Sequence, residues 1–306
     1  MSRPFRFAVQ GGPFTDRDAL AAHARMLEDL GYQELFTADH LEAVDPFLPL
    51  LIAAEHTTML RMGPLVLNNG FHHPAMLARA AATFDALTGG RLVLGLGTGY
   101  MRAEHDATGI ALQTAGARVD RLGETLGAVR TLLDTGSCRV HGEFHDLAID
   151  QIVRPVQPSV PFLIGGHGRR IITTVAAPFA DIFQFTGLTH DPATGVPAPG
   201  GFARADVRCR RDWLRAAAGE RFDTIELSAL VQATRIGADA PAERDAIAER
   251  LGSPPDVIDE TPFALVGTED DVVEKLLALR EDLGISHVVV RDPRGFAPIV
   301  DRLSGT

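Results

Sequence analysis

Lysine is nearly missing from this chain. Lys275 is the single one, so the other 28 of its 29 cationic residues are arginines. The skew reads as compositional bias rather than mechanism. Basic charge is also scarce overall: 29 basic against 40 acidic residues give a formal net charge of −11. Nucleic acid and anionic membrane both require a positive face, so neither is expected as a partner, whereas a small molecule is. Cys138 and Cys209 are the only two cysteines. That is too few for a disulfide framework and points to a reducing cytoplasm. The chain passes from Met1 straight into a strand-like FRFAV, so no signal peptide is expected. No apolar run reaches the roughly 18 residues that a membrane span needs.

What is present is ordinary globular composition: 45% hydrophobic and 23% charged residues over 306 positions. Disorder, collagen and coiled coil are thereby excluded. Length alone admits two domains, but α/β barrels routinely occupy about 200–250 residues or more as one.

Short β-branched runs alternate with amphipathic helical runs. Strands are expected at Phe5–Gln10, Gln33–Ala38, Met62–Leu67, Arg91–Leu96, Val160–Ile164, Asp181–Phe185, Thr224–Ala233 and Ser286–Arg291. The helices between them include one capped by Thr15 and stopped at Gly31. Others are expected over Asp45–Leu60, over Pro74–Leu87 and on the register Val119, Leu122, Leu126, Val129 and Leu133. Arg169–Ala177, a helix near 204–218 and Glu269–Leu283, capped by Thr268, complete the set. Residues 138–152 read as a small β excursion, and 188–201 as one long loop. Eight βα units without a composition break imply a parallel sheet. They fit a closed (β/α)8 TIM barrel, one domain over 1–306, better than an open sheet.

In such a barrel, chemistry belongs at the carboxyl ends of the strands. Gln10, Asp39-His40, Asn68-Asn69, Gly97-Thr98-Gly99, Gly165-Gly166-His167-Gly168, Thr186-Gly187, Gln232 and Arg291 stand there. His40 is suited to proton transfer near neutral pH, with Asp39 orienting it or binding a ligand N–H; a turn or helix cap explains the pair equally well. The glycines Gly165–Gly168 let backbone N–H groups converge at a helix start, and Arg169 and Arg170 add charge. This turn is the phosphate-site candidate, ahead of a tight turn with solvated arginines. Gly95, Gly97 and Gly99 lack the spacing and the prompt helix of a dinucleotide fingerprint. They suggest close backbone approach to a ligand, and a nicotinamide dehydrogenase is disfavoured. His141 and His145 flank Gly142 and are not expected to hold a metal.

Five stretches together resemble the bacterial luciferase-like flavin and deazaflavin oxidoreductases. They are LFTADHL (35–41), RMGPLVLNNGFHHPAMLARAAATFDALTGGRLVLGLGTGY (61–100), RVDRLGETL (118–126), VPFLIGGHGRRIITTVA (160–176) and FALVGTEDDVVEKL (263–276). The resemblance implies a barrel of that type with insertions, a homodimer, and a cofactor that carries the redox chemistry. It favours the branch using coenzyme F420, a 5-deazaflavin, over the branch using FMN. It implies Asp39 and His40 beside the reactive ring, with His40 as proton donor or acceptor. A bulge behind the ring, at Leu65-Val66 and close to Asn68, is implied as well, often with a non-prolyl cis peptide. Thr98, Gly99 and Gly165, Gly166, His167, Gly168 and Arg169 would then hold the cofactor.

Tyr100 stands where similar sugar-phosphate dehydrogenases carry a catalytic glutamate. A phenol with a pKa near 10 does not serve as a base at neutral pH, so glucose-6-phosphate oxidation is not expected. Tyr100 and Gln232 are instead the candidate substrate contacts, under the 188–201 loop. Two other readings remain open: a monooxygenase using reduced FMN and oxygen, and a non-catalytic barrel that binds a flavin or another phosphate ligand.

Overall fold

A computed structural model describes residues 3–190 and 197–306. Eight parallel strands form its centre: Arg6–Gln10, Glu34–Thr37, Arg61–Asn68 in two parts, Leu94–Gly97, Phe162–Gly166, Ile182–Phe185, Glu226–Leu230 and Ile285–Val290. The third strand is split. Its first part, Arg61–Pro64, pairs with the second strand, and its second part, Leu67–Asn68, pairs with the fourth. The sheet therefore begins and ends on the same strand, and the ring is closed but for the step at Leu65-Val66. That peptide bond is cis. Leu65 N–H donates to the Thr37 carbonyl at 2.7 Å, and the Leu65 carbonyl accepts from Gln10 Nε2 at 2.7 Å.

The two-residue period of a strand explains how the barrel fills. Along the first strand, Phe7 and Val9 join the large outer core under the helices, while Ala8 belongs to the inner cluster with Phe36, Leu163, Ile182 and Val289. Arg6 and Gln10 share the inward face of Ala8. At the amino end, Arg6 pairs with Glu34 and Glu226, and the fully buried His287 bridges Glu34 Oε2 (2.7 Å) and Ser228 Oγ (2.8 Å). Burial pushes the Glu34 carboxyl up, but His287 and Arg6 hold it at about 2. At the carboxyl end the same period aims Gln10 and Arg291 into the mouth of the barrel.

Several elements differ from the sequence expectation. The first helix is Arg17–Asp29, capped by Asp16 rather than Thr15: Asp16 Oδ1 accepts from Asp18 N and Ala19 N. The second helix is shorter, Leu48–Glu55, because Asp45 turns the chain with bonds to Phe47 N and Leu48 N. The expected strand Thr224–Ala233 divides. Glu226–Leu230 stays in the barrel, and Ala233–Ile236 pairs with Ala264–Gly267 in a separate parallel ladder. The 188–201 segment is not wholly irregular, since Leu188–His190 and Pro197–Pro199 pair antiparallel; residues 191–196 lie outside the described ones. The β excursion is a hairpin of Cys138–His141 with Asp146–Ile149. No helix among the described residues is long and apolar enough to cross a membrane.

Candidate active site

A cavity of about 560 Å³ opens at the carboxyl ends of the strands. The sequence-predicted residues Asp39, His40, Leu65, Val66, Asn68, Thr98, Gly99, Tyr100, Gly165, Gly166, His167 and Gln232 all line it. A second space of about 360 Å³ shares Thr98, Gly165, Gly166 and His167 with the first and adds Gly168 and Arg170. Together they make a chamber with a channel running over the glycine turn, beside the start of the helix Ala115–Thr135.

His40 lines the chamber. Its Nδ1 lies 2.9 Å from Glu104 Oε1, and the same oxygen accepts the Leu41 backbone N–H at 3.0 Å. Glu104 is only 7% exposed. A buried carboxylate that already accepts one N–H requires the imidazole to donate as well. The pairing thus assigns the proton to Nδ1 and leaves Nε2 for exchange at the cavity. Among the described residues Nε2 has no partner. The Tyr100 ring stands edge-on to the imidazole, centroids 6.0 Å apart. Burial, then Glu104 and Glu42, push the Tyr100 phenol above its ordinary value, so it stays protonated at neutral pH.

The geometry corrects two expectations. Asp39 does not orient His40: its Oδ2 accepts from Asn68 N (2.8 Å) and His72 Nε2 (2.9 Å), which ties the second strand's end to the third. Glu104 performs the orienting instead. It lies four residues beyond Tyr100 on the helix Arg102–Thr108, and an acid on a short polar helix gave no sign of burial. Arg169 does not line the phosphate turn; its guanidinium lies over the Trp213 ring at 5.8 Å, because the helix beginning there turns it outward. Arg170 lines the channel but is paired with Asp120.

Of the fourth strand's glycines, Gly97 and Gly99 line the cavity, and all three also approach the third strand. A Cβ on Gly95 would come within 2.1 Å of the Pro64 carbonyl oxygen, and one on Gly97 within 2.7 Å of a Val66 methyl. Gly99 has φ +70°, and its added Cβ would meet Asn68 Oδ1 at 1.9 Å. The Asn68 side chain is itself used up, accepting from Gly70 N and bonding His105 Nε2.

Arg118, missed as a single residue although it opens one of the stretches carrying the resemblance, faces both spaces. Its Nη1 donates to the Gln113 carbonyl, while its buried Nε has no partner among the described residues. Burial and Arg102 lower its pKa, and no carboxylate offsets them. A buried guanidinium N–H without an acceptor is what an anionic group would satisfy. Cβ atoms built on Gly165 and Gly168 meet nothing within 4 Å, so the turn has open space on its ligand side. These residues fit a phosphate-bearing cofactor. His167, pushed below its ordinary value by burial and by Arg210, is neutral at pH 7; it joins the turn to the Gly200 carbonyl at 2.9 Å. His141 and His145 form no metal cluster, and none is found among the described residues; His145 instead bonds Thr125 Oγ1.

Barrel, mouth and channel define an α/β-barrel cavity of the luciferase-like kind. The chain belongs to the luciferase-like monooxygenase family, whose model matches residues 2–197. Among curated relatives it is similar to 4-hydroxyprotoasukamycin monooxygenase of Streptomyces nodosus subsp. asukaensis, 36% identical over 115 residues, covering 36% of this chain and 30% of that protein. It is also similar to F420-dependent glucose-6-phosphate dehydrogenase of Amycolatopsis mediterranei, 30% identical over 177 residues, 53% of this chain and 50% of that one. The chain thus spans a third to a half of the length of these relatives. The fold matches the coenzyme F420-dependent tetrahydromethanopterin reductase of Methanopyrus kandleri, with TM-score 0.76, 20% identity and 98% of both chains covered. It also matches a long-chain alkane monooxygenase, with TM-score 0.79, 16% identity, and 99% and 92% covered.

Proposed function

We propose that this protein is an oxidoreductase that transfers a hydride between coenzyme F420 and a small organic substrate. The observation that carries the reading is the His40–Glu104 pair at the cavity wall: a proton-exchanging nitrogen, with its tautomer set, where a ring and a substrate would meet. The bound deazaflavin would supply the hydride-accepting or hydride-donating carbon. The chain's own part is to bind, orient and move one proton. Arg118, with the N–H groups of the turn Gly165–Gly168, holds the phosphate. Leu65, Val66 and Gly99 wall the ring site. His40 Nε2 gives a proton to, or takes one from, the substrate oxygen, while Glu104 steadies the imidazole in either state.

Tyr100 and Gln232 face the substrate. A Tyr100 phenol that stays protonated donates a hydrogen bond and does not act as base, which speaks against sugar-phosphate oxidation. The protein acts as a homodimer. Support comes from Met76, Ala80, Thr83 and Leu87, spaced along one exposed face of the helix Pro74–Leu87, where Met76 and Leu87 are 52% and 68% exposed.

Turnover is tested by following F420 absorbance with the protein and a panel of small alcohols and aldehydes. His40→Ala is expected to slow a productive reaction by about 10²–10⁴-fold. Unchanged turnover would remove His40 from the chemistry, and no turnover by wild type with any of the panel would leave a barrel that only binds its ligand.

A further inference from the structure

Arg291 follows the eighth strand and lines the cavity. Its neighbours are neutral: Nη1 donates to Gln232 Oε1 (3.1 Å) and the Val231 carbonyl (3.4 Å), and Nη2 to Gln10 Oε1 (3.0 Å). Two of a guanidinium's five N–H donors, Nε–H and the second on Nη2, have no acceptor among the described residues and are open to a ligand or to solvent at the mouth. No carboxylate among the described residues pairs with it; the acceptors it meets are all neutral amide oxygens. Arg291 is exposed at the cavity mouth, where partial desolvation still pushes its pKa below the ordinary value. Gln10 and Gln232 brace the group from both sides, and Gln10 also donates to the Leu65 carbonyl, fixing the guanidinium relative to the ring wall.

We infer that Arg291 is the substrate-recognition residue of this site and that the substrate carries a carboxylate or similar planar oxyanion. A guanidinium with free donors, held in a cavity without a protein counter-ion, matches such a group in shape and charge. The glycine turn and Arg118 serve the cofactor's anion at the fifth strand; Arg291, three strands away around the ring, serves a second one. The inference rests on the proposed hydride-transfer site being the place where substrate binds.

Benzoate and its neutral isostere benzamide are the probes, titrated by ligand-observed NMR into the F420-loaded and the cofactor-free protein. Wild type is expected to bind benzoate at least about tenfold more tightly than benzamide, as a charge-assisted pair should. Arg291→Gln is expected to erase the preference, with its melting temperature as the fold control. Arg291→Lys, which keeps the charge but not the fork, is expected to weaken benzoate binding about tenfold and serves if the glutamine variant does not fold. Equal binding of both probes by wild type would overturn the inference, as would a preference undiminished in either variant. Failure of the hydride-transfer reading would look different: the benzoate preference would persist in a protein that binds no deazaflavin.

Discussion

Glu104 Oε1 lies 2.9 Å from His40 Nδ1 and accepts the Leu41 N–H as well, so one buried carboxylate oxygen fixes both the ring and the backbone of the candidate proton-transfer residue. Glu104→Gln keeps the size but offers an amide that can present N–H to Nδ1 and reverse the tautomer. Turnover is expected to fall about 10- to 1000-fold. Combined with His40→Ala, the change should cost nothing further, because the two residues act as a unit. An additive double mutant, read from kcat of the four proteins, would separate them.

Arg118→Met removes the buried N–H donor that lacks an acceptor. A lost charge-assisted bond of about 1.5–3 kcal/mol corresponds to roughly 10- to 150-fold weaker cofactor binding. The change should leave thermal stability almost untouched, since among the described residues Arg118's side chain bonds the Gln113 carbonyl alone. Fluorescence titration with F420 checks the first expectation and thermal denaturation the second.

Gly99→Ala sets a Cβ 1.9 Å from Asn68 Oδ1 in a left-handed conformation, φ +70°. Asn68 must move, and with it its bonds to Gly70 N and His105. Destabilisation of about 1–3 kcal/mol and loss of cofactor affinity are expected together. A variant that unfolds at the wild-type denaturant midpoint would contradict the packing described.

Lys275 donates to the Ile258 and Ala264 carbonyls, and burial pushes its pKa down to about 7 from the ordinary 10.5. Between those values the unfolded chain holds a proton that the native protein has released, so this residue makes stability rise with pH across that window. Below pH 7 both states hold it and the contribution is flat. Unfolding free energies of wild type and Lys275→Met, measured from pH 7 to 10, should diverge in favour of wild type as pH rises; parallel curves would contradict the shift.

Dimerisation through the Met76–Leu87 face predicts that Leu87→Glu, at a position already 68% exposed, yields a folded monomer by light scattering. Unchanged mass would place the interface elsewhere.

The barrel was legible because period and punctuation agree: alternating Phe7, Ala8 and Val9 and the helical stripe ending at Gly31 each have one reading. The break at Leu65-Val66 was legible through the resemblance alone, and the departure of Ala233–Ile236 from the barrel was not legible at all, since a continuous apolar run carries no mark of which neighbour it pairs with. Strand-end position brought together most of the cavity's lining, from Gln10 to Arg291. It could not reveal Glu104 and Arg118, which come in from helices and become functional only through burial against partners distant in sequence. Arg169 was misplaced for the converse reason: adjacency to a glycine turn does not determine which way a helical side chain projects.

Titration of the cofactor-free protein with F420 and with FMN, followed by absorbance and fluorescence under aerobic conditions, tests the central claim most directly. Saturable F420 binding, weakened in Arg118→Met and without oxygen consumption on reduction, is the predicted result. Tight FMN binding with oxygen consumed on reduction, and no F420 binding, would contradict it.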